Sequence, residues 1–400
     1  MHSGFKSFEL MEFNSIIVRL SGEIGIKGDW TRRAYERRLL KNIVDALSHY
    51  DVPYEKIVRK CGRIYLKTHS AMEASLKLAR VFGISSLSPA LETTSKLNDI
   101  VEGSLSLATQ TLQRGNTFAV RCRRVGHHPY TSADVCREVG RQILTAFPHL
   151  DLKVNLRSPD VSLGIEVRDE SAFAFTKILG GTGGFPLGTQ PRVVCLLSGG
   201  IDSPVASWLA MKRGCPITPI YFDNSPFTDD ATTERALNVA KVLFEWAIGF
   251  PRKVYVVPHG GLMEIVEGGP KRLTCILCKR MMYRIAERIA DMERAEGIVT
   301  GESIGEQASQ TLRNLRVLSE AATRYPIHRP LLGLDKMEIE KMARKIETYQ
   351  VSIQKAKACT AAPSKPATQA KIEEVRKAEE DLHVEGMVKS SLEGLRMVRL

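Results

Sequence analysis

Up to about residue 178 the chain repeats one pattern: short stretches with every second residue apolar, separated by longer ones in which apolar residues recur at helical spacing. "NSIIVRL" predicts a strand, followed by the glycine-punctuated "SGEIGIKG" and a helix capped near Thr31, along which Tyr35, Leu39, Ile43 and Leu47 fall at spacing four and form a buried stripe. "EKIVRKCGRIYLKT" supplies strands, and "AMEASLKLARVFGISSLSPAL" a helix ended by Gly83 and one more strand, which completes a small α+β unit. From residue 98 a helical stretch leads to "TFAVRCRRV", where Phe118, Val120 and Cys122 alternate with Arg121 and Arg123 as in a half-exposed strand. The helix "SADVCREVGRQILTAF" and the strands "DLKVNLRSPD", "VSLGIEVRD" and "AFAFTKIL" follow, a second α+β unit.

"GGTGGFPLGTQ", residues 180 to 190, contains five glycines and a proline and reads as a domain joint. Past it the strand-like runs become continuously apolar. "RVVCLL" meets a helix predicted from Pro204 to about Arg213, then the strand "PITPIYFDN"; "KVYVVPH" and "EGIVTGE" alternate with helices predicted over Thr232 to Trp246 and Lys279 to Ala295. Such alternation predicts an α/β fold, a parallel sheet with helices on both faces. The tail, "AKACTAAPSKPATQ", is a proline-bearing loop before the charged helix "QAKIEEVRKAEEDL".

Four hundred residues are enough for two or three separate cores. No apolar run approaches the roughly 18 residues needed to span a bilayer, and the N-terminus lacks a secretory leader's apolar centre and cleavage site, so a cytoplasmic protein with no membrane partner is expected. Lys and Arg total 57 against 45 Asp and Glu, a formal net charge of +12. That excess favours a polyanionic partner through counterion release, although charge alone is equally consistent with a merely soluble basic protein. Eight cysteines are too few for a disulfide scaffold; Cys61, Cys122, Cys136, Cys195 and Cys215 read as packed thiols, leaving Cys275, Cys278 and Cys359 as chemically placed.

The stretch with the most specific chemistry is "CLLSGGIDSPVASW". A strand running into Ser-Gly-Gly-x-Asp-Ser and then a helix puts several backbone N–H groups at a helix N-terminus, where anions bind. Gly199 and Gly200 permit the tight turn, Ser198 and Ser203 add hydroxyls, and Asp202 offers a carboxylate to a Mg2+ ion bridging phosphates. Neither a Walker A loop nor a Gly-x-Gly-x-x-Gly fingerprint has this spacing. The hexad resembles the PP-loop of the ATP pyrophosphatase superfamily, whose members cleave ATP between the α and β phosphates and adenylate a substrate oxygen.

The segments "GEIGIKG", "VFGISSLSP", "GGTGGFPLGTQ", "KRMMYRIAERIA", "TGESIGEQASQTL" and "RPLLGLDKMEI" extend the likeness over about residues 16 to 370, in the order found in the ThiI family of tRNA 4-thiouridine synthetases. The resemblance implies a ferredoxin-like domain over residues 1–72, a THUMP tRNA-binding domain over 73–178 and a PP-loop catalytic domain over 179–400. It implies ATP contacts at Leu196, Leu197, Ser198, Gly199, Gly200, Asp202, Ser203, Tyr221, Phe222, Lys279, Gly301 and Gln310, with Asp202 taking the Mg2+. Arg32, Arg33, Arg37, Arg121, Arg123 and Arg124 become candidate contacts to tRNA, with Arg137 and Arg141 beside them. The implied reaction adenylates a tRNA uridine, expected at position 8, and replaces its O4 with sulfur, releasing AMP and pyrophosphate; a homodimer is implied as well. Two rival readings are a PP-loop enzyme thiolating another tRNA position and a tRNA-binding module with a degenerate loop. Position 347 is Glu where relatives commonly carry Gly.

The rhodanese-bearing members carry a persulfide cysteine in that extra domain, and this sequence stops without one. "CILC", Cys275 and Cys278, together with Cys359, resembles archaeal forms in which three cysteines hold an iron-sulfur cluster. An iron without a protein ligand could then bind and deliver sulfide. Placed directly before the helix from Lys279 and beside Arg280, the pair is expected to deprotonate readily. A zinc site, a redox disulfide, two inert thiols or a Cys359 persulfide remain alternatives, with sulfide or a persulfide-carrying protein as the sulfur donor.

Overall fold

The computed structural model describes residues 13–60 and 62–400, so Cys61 and the first twelve residues lie outside it. The chain forms two compact units, Met1–Gly184 and Phe185–Leu400.

The first unit runs β1 (Ser15–Leu20), α1 (Gly22–Gly25), α2 (Asp29–His49), β2 (Lys56–Lys60), β3 (Arg63–Lys67), α3 (Ala71–Leu78), β4 (Ile84–Thr94), α4 (Leu97–Thr111), β5 (Thr117–Val125), α5 (Ser132–Ala146), β6 (Lys153–Val154), β7 (Val161–Arg168), β8 (Ser171–Phe175) and β9 (Leu179–Gly180). α2 is capped at Gly28, three residues before the expected Thr31, and of the expected strand "DLKVNLRSPD" only β6 forms. The two α+β units share one nine-stranded sheet, β2-β3-β1-β4-β8-β7-β5-β6, with β9 alongside β4. β4 joins them: its first half pairs antiparallel with β1 (Ile16 opposite Pro89) and its second half with β8 (Glu92 opposite Phe173). Ile16, Val18, Ile64, Leu66 and Leu87 are fully buried on one face of this sheet. The helices lie there, since Glu36 of α2 bonds Arg59 at 2.9 Å, and a Cβ added at Gly103 of α4 would meet Thr93. Residues one position along each strand therefore occupy the helix-free face.

The second unit runs β10 (Val193–Leu196), α6 (Asp202–Lys212), β11 (Ile217–Asp223), α7 (Asp230–Phe244), β12 (Lys253–Pro258), α8 (Leu262–Gly268), α9 (Thr274–Glu293), β13 (Ile298–Val299), α10 (Leu312–Ser319), β14 (Ile327–His328), α11 (Lys336–Lys345), α12 (Tyr349–Ser352), α13 (Ile372–Asp381), α14 (Val384–Glu393) and β15 (Arg396–Arg399). Its sheet has the order β14-β13-β10-β11-β12-β15, parallel throughout except for β15, which pairs antiparallel with β12. Adjacent parallel strands require crossovers, and α6 and α7 supply them from β10 to β11 and from β11 to β12. Val194, Ile220, Val257, Ile285, Ile289 and Ile298 form part of a core between this sheet and α9. Met281 is buried in that core and Met282 packs against it, whereas Met292, expected in the same stripe, is exposed. β10 is central, so its carboxyl end opens at the middle of the sheet edge, where ligands of open α/β sheets bind.

Candidate nucleotide site and cysteine cluster

β10 ends at Leu196, and Leu197 continues the ladder by donating its N–H to Ile220 O at 2.8 Å. The chain then turns. Ser203 closes the turn: its Oγ accepts from Ser198 N at 2.8 Å and lies 3.0 Å from Ser198 Oγ, which in turn accepts from Gly200 N at 3.3 Å. Helix α6 begins at Asp202, not at Pro204 as expected, so Asp202 and Ser203 both sit in its first turn. Two glycines here have no room for a side chain. A Cβ on Gly199 would lie 2.6 Å from Arg235 Nε, and one on Gly301 would lie 2.6 Å from the backbone N of Ser203. Gly301, from the loop after β13, thus backs directly onto the start of α6.

Asp202 is half-buried. Burial pushes its carboxyl above the usual range, and Lys336 opposes this by donating Nζ to Oδ1 at 2.8 Å. The same ammonium pairs with Glu306, and the two carboxylates hold it above its ordinary value against the effect of burial. Lys336 is the first residue of α11 and sits in the quoted "RPLLGLDKMEI"; no role was expected of it, and its place after a capping Asp335 was the available signal. Asp202 and Glu306 together offer the oxygen donors that suit a hard divalent cation.

The other expected nucleotide contacts are distributed around this edge. Tyr221 and Phe222 lie near the carboxyl end of β11, next to β10, with side chains largely buried. Lys279 Nζ lies 3.2 Å from Glu302, a buried carboxylate that also accepts from Tyr283 Oη at 2.6 Å and Arg329 Nε at 2.8 Å. Burial alone would raise the pKa of Glu302, but Lys279, Tyr283 and Arg329 outweigh it and hold the group below its ordinary value. Gln310 accepts from Ser303 N at 3.3 Å and so braces the loop after Gly301.

Cys275 and Cys278 lie within the first turns of α9, which starts at Thr274; the expected start at Lys279 is corrected to four residues before Cys278. The expected easy deprotonation is corrected too. Burial pushes both thiols up, strongly for Cys278, and the nearby Lys279 offsets little of it because desolvation of a thiolate dominates. Arg280 is turned away to Glu379, 2.7 Å from its Nε. Cys359 packs against the same apolar core, and its sulfur is close enough to raise both other thiols further. Among the described residues no three His, Cys, Asp or Glu side chains are set as a metal-ligand group. One neighbour was missed in the sequence. His259, fully buried after β12, has its Nε2 3.4 Å from Cys278 Sγ and its ring edge-on to Phe222 at 5.3 Å. Burial pushes its pKa down to about 4, so the imidazole is neutral at pH 7. The "VPHG" ending a strand was the only available signal.

The arginines expected at RNA lie in the first unit. Arg33, Arg37, Arg121 and Arg123 are exposed, Arg121 donating to Leu156 O at 3.0 Å; Arg32 pairs with Asp29, and Arg124 donates to Gly126 O and contacts His128. Arg137 and Arg141 are tied to Asp134 and Glu138 on their own helix.

A parallel sheet whose central strand runs through Ser-Gly-Gly-Ile-Asp-Ser into a helix defines a PP-loop, adenine nucleotide α-hydrolase-like domain. Three family models match the chain: the ThiI ferredoxin-like domain at residues 15–88, the THUMP domain at 94–176 and "Thiamine biosynthesis protein (ThiI)" at 188–384. A probable tRNA sulfurtransferase of Methanosarcina mazei is 40% identical over 97% of this chain and 96% of its own length. One of Methanothermobacter thermautotrophicus is 37% identical over 94% and 95%. A solved 4-thiouridine synthetase, in complex with RNA and bound ATP, superposes with a TM-score of 0.87 at 33% identity, covering 97% of this chain and 99% of that one. The chain belongs to the ThiI family of tRNA sulfurtransferases.

Proposed function

We propose that the protein uses ATP to adenylate a uridine of tRNA at O4 and then replaces that oxygen with sulfur, giving 4-thiouridine, AMP and pyrophosphate. The observation that carries this reading is the Ser198–Ser203 turn, closed by Ser203, backed by Gly301 and flanked by the Asp202–Lys336 pair at the carboxyl end of the central strand. Backbone N–H groups of the turn and the amino end of α6 receive the triphosphate. Uridine O4 attacks the α-phosphorus and pyrophosphate leaves; sulfide then attacks C4 and AMP departs carrying the former O4. Adenylation matters because an amide-like oxygen is a poor leaving group and AMP a good one. Lys336, already at the carboxylate beside the turn, would neutralise charge growing on the departing phosphates. Asp202 and Glu306 would hold a Mg2+ ion, which would supply Lewis-acid stabilisation there.

For sulfur, Cys275, Cys278 and Cys359 are the candidate ligands of an iron-sulfur cluster, which would supply a sulfide-binding iron; what supports this is that Cys278 and Cys359 belong to one apolar core and that each of the other two sulfurs raises the Cys278 thiol further, although the three are not set as a ligand group in this structure. The alternative is a persulfide on Cys359, formed when its sulfur attacks the outer sulfur of a persulfide-carrying protein and the carrier's thiol leaves. The working assembly is proposed as a homodimer acting in the cytoplasm, where its tRNA substrate resides; no helix among the described residues is long and apolar enough to cross a membrane.

The test is incubation with ATP, Mg2+, tRNA and sulfide, reading 4-thiouridine by its near-ultraviolet absorbance. Asp202→Ala is expected to abolish product while leaving tRNA binding nearly intact. Product formed at the unaltered rate by that variant would remove the assignment.

A further inference from the structure

The helix-free face of the N-terminal sheet is built against its own stability. The register sets Arg19 directly opposite Arg63, Lys60 opposite Arg63, and Lys56 opposite Lys67. Like charges in directly opposed positions repel and destabilise a sheet, and here three such pairs lie on adjacent strands of a single face. At its centre three arginines share one carboxylate. Arg19 Nη2 is 2.9 Å and Arg168 Nη2 2.7 Å from opposite oxygens of Glu166, while Arg63 reaches the second oxygen only at 3.8 Å. These side chains are 14%, 4% and 20% exposed, and Glu166 is 6% exposed. Arg123 faces Glu166 across β5 and β7 and adds its charge to the field at Arg63. The Nε atoms of Arg63 and Arg168 are buried and make no hydrogen bond. Lys60 and Lys67 pair with Asp169 and Glu55 at the rim and Glu92 acts on Lys67, so Glu166 is left with Arg19, Arg63 and Arg168 at the centre, more cations than carboxylates.

Cationic groups partly removed from water, in excess of their counter-charges and with unused donors, are costly unless an anion joins them. Guanidinium forks suit phosphate oxygens in particular, because they offer paired donors at matching spacing. The room for one is present: a cavity of about 440 Å3 is lined by Lys56, Lys60, Lys67 and Arg168 against a single carboxylate, Glu92, with Asn14 and Tyr65 beside them. Its floor is apolar and rigid, with Tyr65 stacked on Phe173 at 4.5 Å between ring centres and Ile17 beneath.

We propose that this face is a phosphate-binding platform for the backbone of the tRNA substrate, with Arg63, Arg168 and Lys56 as its anchors. The proposal rests on the sulfurtransferase reading only for the identity of the RNA. The occupant is RNA because the like-charge pairs extend over three adjacent strands, β1, β3 and β2, a wider cationic surface than one small anion would occupy.

The test is binding of a tRNA transcript to the full chain over a range of salt concentrations, with thermal melts of each variant. Arg63→Gln combined with Lys56→Gln is expected to weaken binding about tenfold and to lower the slope of log affinity against log salt by about two. The melting temperature should stay unchanged or rise, because repulsion across β1, β3 and β2 has been relieved; a merely structural role would move it downward. Lys56→Gln alone, at an exposed position, should lower the slope by about one without touching the buried network. Unchanged affinity and slope in both variants would overturn the proposal. So would binding of inorganic phosphate that the double variant loses while its tRNA affinity stays the same, since the face would then hold a free anion. Absence of 4-thiouridine with the unaltered protein, alongside weakened tRNA binding by the variants, would remove the functional reading and leave the platform standing.

Discussion

At the scale of single residues, the proposed function places most weight on Asp202 and Lys336, the ion pair beside the turn. Asp202 is ionised at a cost, because burial raises its pKa and Lys336 is the main force lowering it again. Deleting the ammonium should therefore raise the pKa further. With Lys336→Met, the carboxyl carbon of Asp202 followed by NMR is expected to titrate at higher pH than in the unaltered protein. In stability terms the sign is fixed: a carboxyl whose folded pKa lies above its unfolded value favours folding while protonated, and that contribution is lost as pH rises through the folded pKa. Release of pyrophosphate in the presence of tRNA should fall about a hundredfold in the same variant, in line with removing one charge that stabilises a transition state. An unmoved Asp202 titration would show that the 2.8 Å contact is without electrostatic consequence. Glu302 behaves oppositely. Its pKa is lowered, so the stability it contributes is present above the unfolded carboxyl value and is lost as pH falls through the folded one. Glu302→Gln is expected to cost about 3 kcal/mol, measured by urea unfolding at pH 7, because Lys279 and Arg329 would each lose a partner in a buried setting.

At the scale of elements, the end of α11 shows how a sequence departure becomes a stability term. Thr348 N donates to Ala343 O at 3.0 Å and Glu347 N to Arg344 O at 3.2 Å, the paired bonds of a Schellman cap. That cap places Glu347 at φ 67°, a left-handed conformation that costs a residue with a Cβ about 1–2 kcal/mol. Glu347→Gly should raise the melting temperature, by up to about 1 kcal/mol of stability once glycine's larger unfolded-state entropy is subtracted. A lower melting point would mean that the Glu347 side chain more than offsets the strain. The expected helices and parallel strands around the loop were legible in the sequence because period 2, period 3.6 and glycine breaks are local signals. What was not legible came from pairing across distance. β4 serves two sheets' worth of partners in one continuous strand, which no local pattern of "ISSLSPALETT" announces. Cys275 and Cys278 read as a loop motif before a helix, yet the helix begins at Thr274 and buries them, so burial overrode the cationic neighbours on which the expected acidity rested. Lys336 and His259 went unnoticed for the same reason, since each acquires a role only through a partner more than a dozen residues away.

At the scale of the whole molecule, the proposed function assigns uridine activation and sulfur delivery to separate groups within the C-terminal unit, the turn with Lys336 and the three cysteines Cys275, Cys278 and Cys359. The two chemistries should therefore separate. Cys359 lies in the loop after α12; the last residue of α12 holds the turn, Ser352 Oγ donating to Gly200 O at 3.2 Å, and the loop's near end is held by α7, Arg235 Nη1 donating to Gln354 O at 2.7 Å. Both contacts are made by backbone carbonyls and by side chains other than Cys359, so Cys359→Ala leaves them intact. That variant is expected to release pyrophosphate from ATP in the presence of tRNA at close to the unaltered rate while making no 4-thiouridine. Protein purified without air should contain iron and acid-labile sulfide in the unaltered form, and Cys275→Ala, Cys278→Ala and Cys359→Ala should each lose most of both. If iron is absent throughout but Cys359→Ala alone abolishes thiolation, sulfur is delivered through a persulfide on that residue. If pyrophosphate release collapses together with thiolation in Cys359→Ala, the turn and the three cysteines act as one unit, and adenylation depends on the sulfur site being complete.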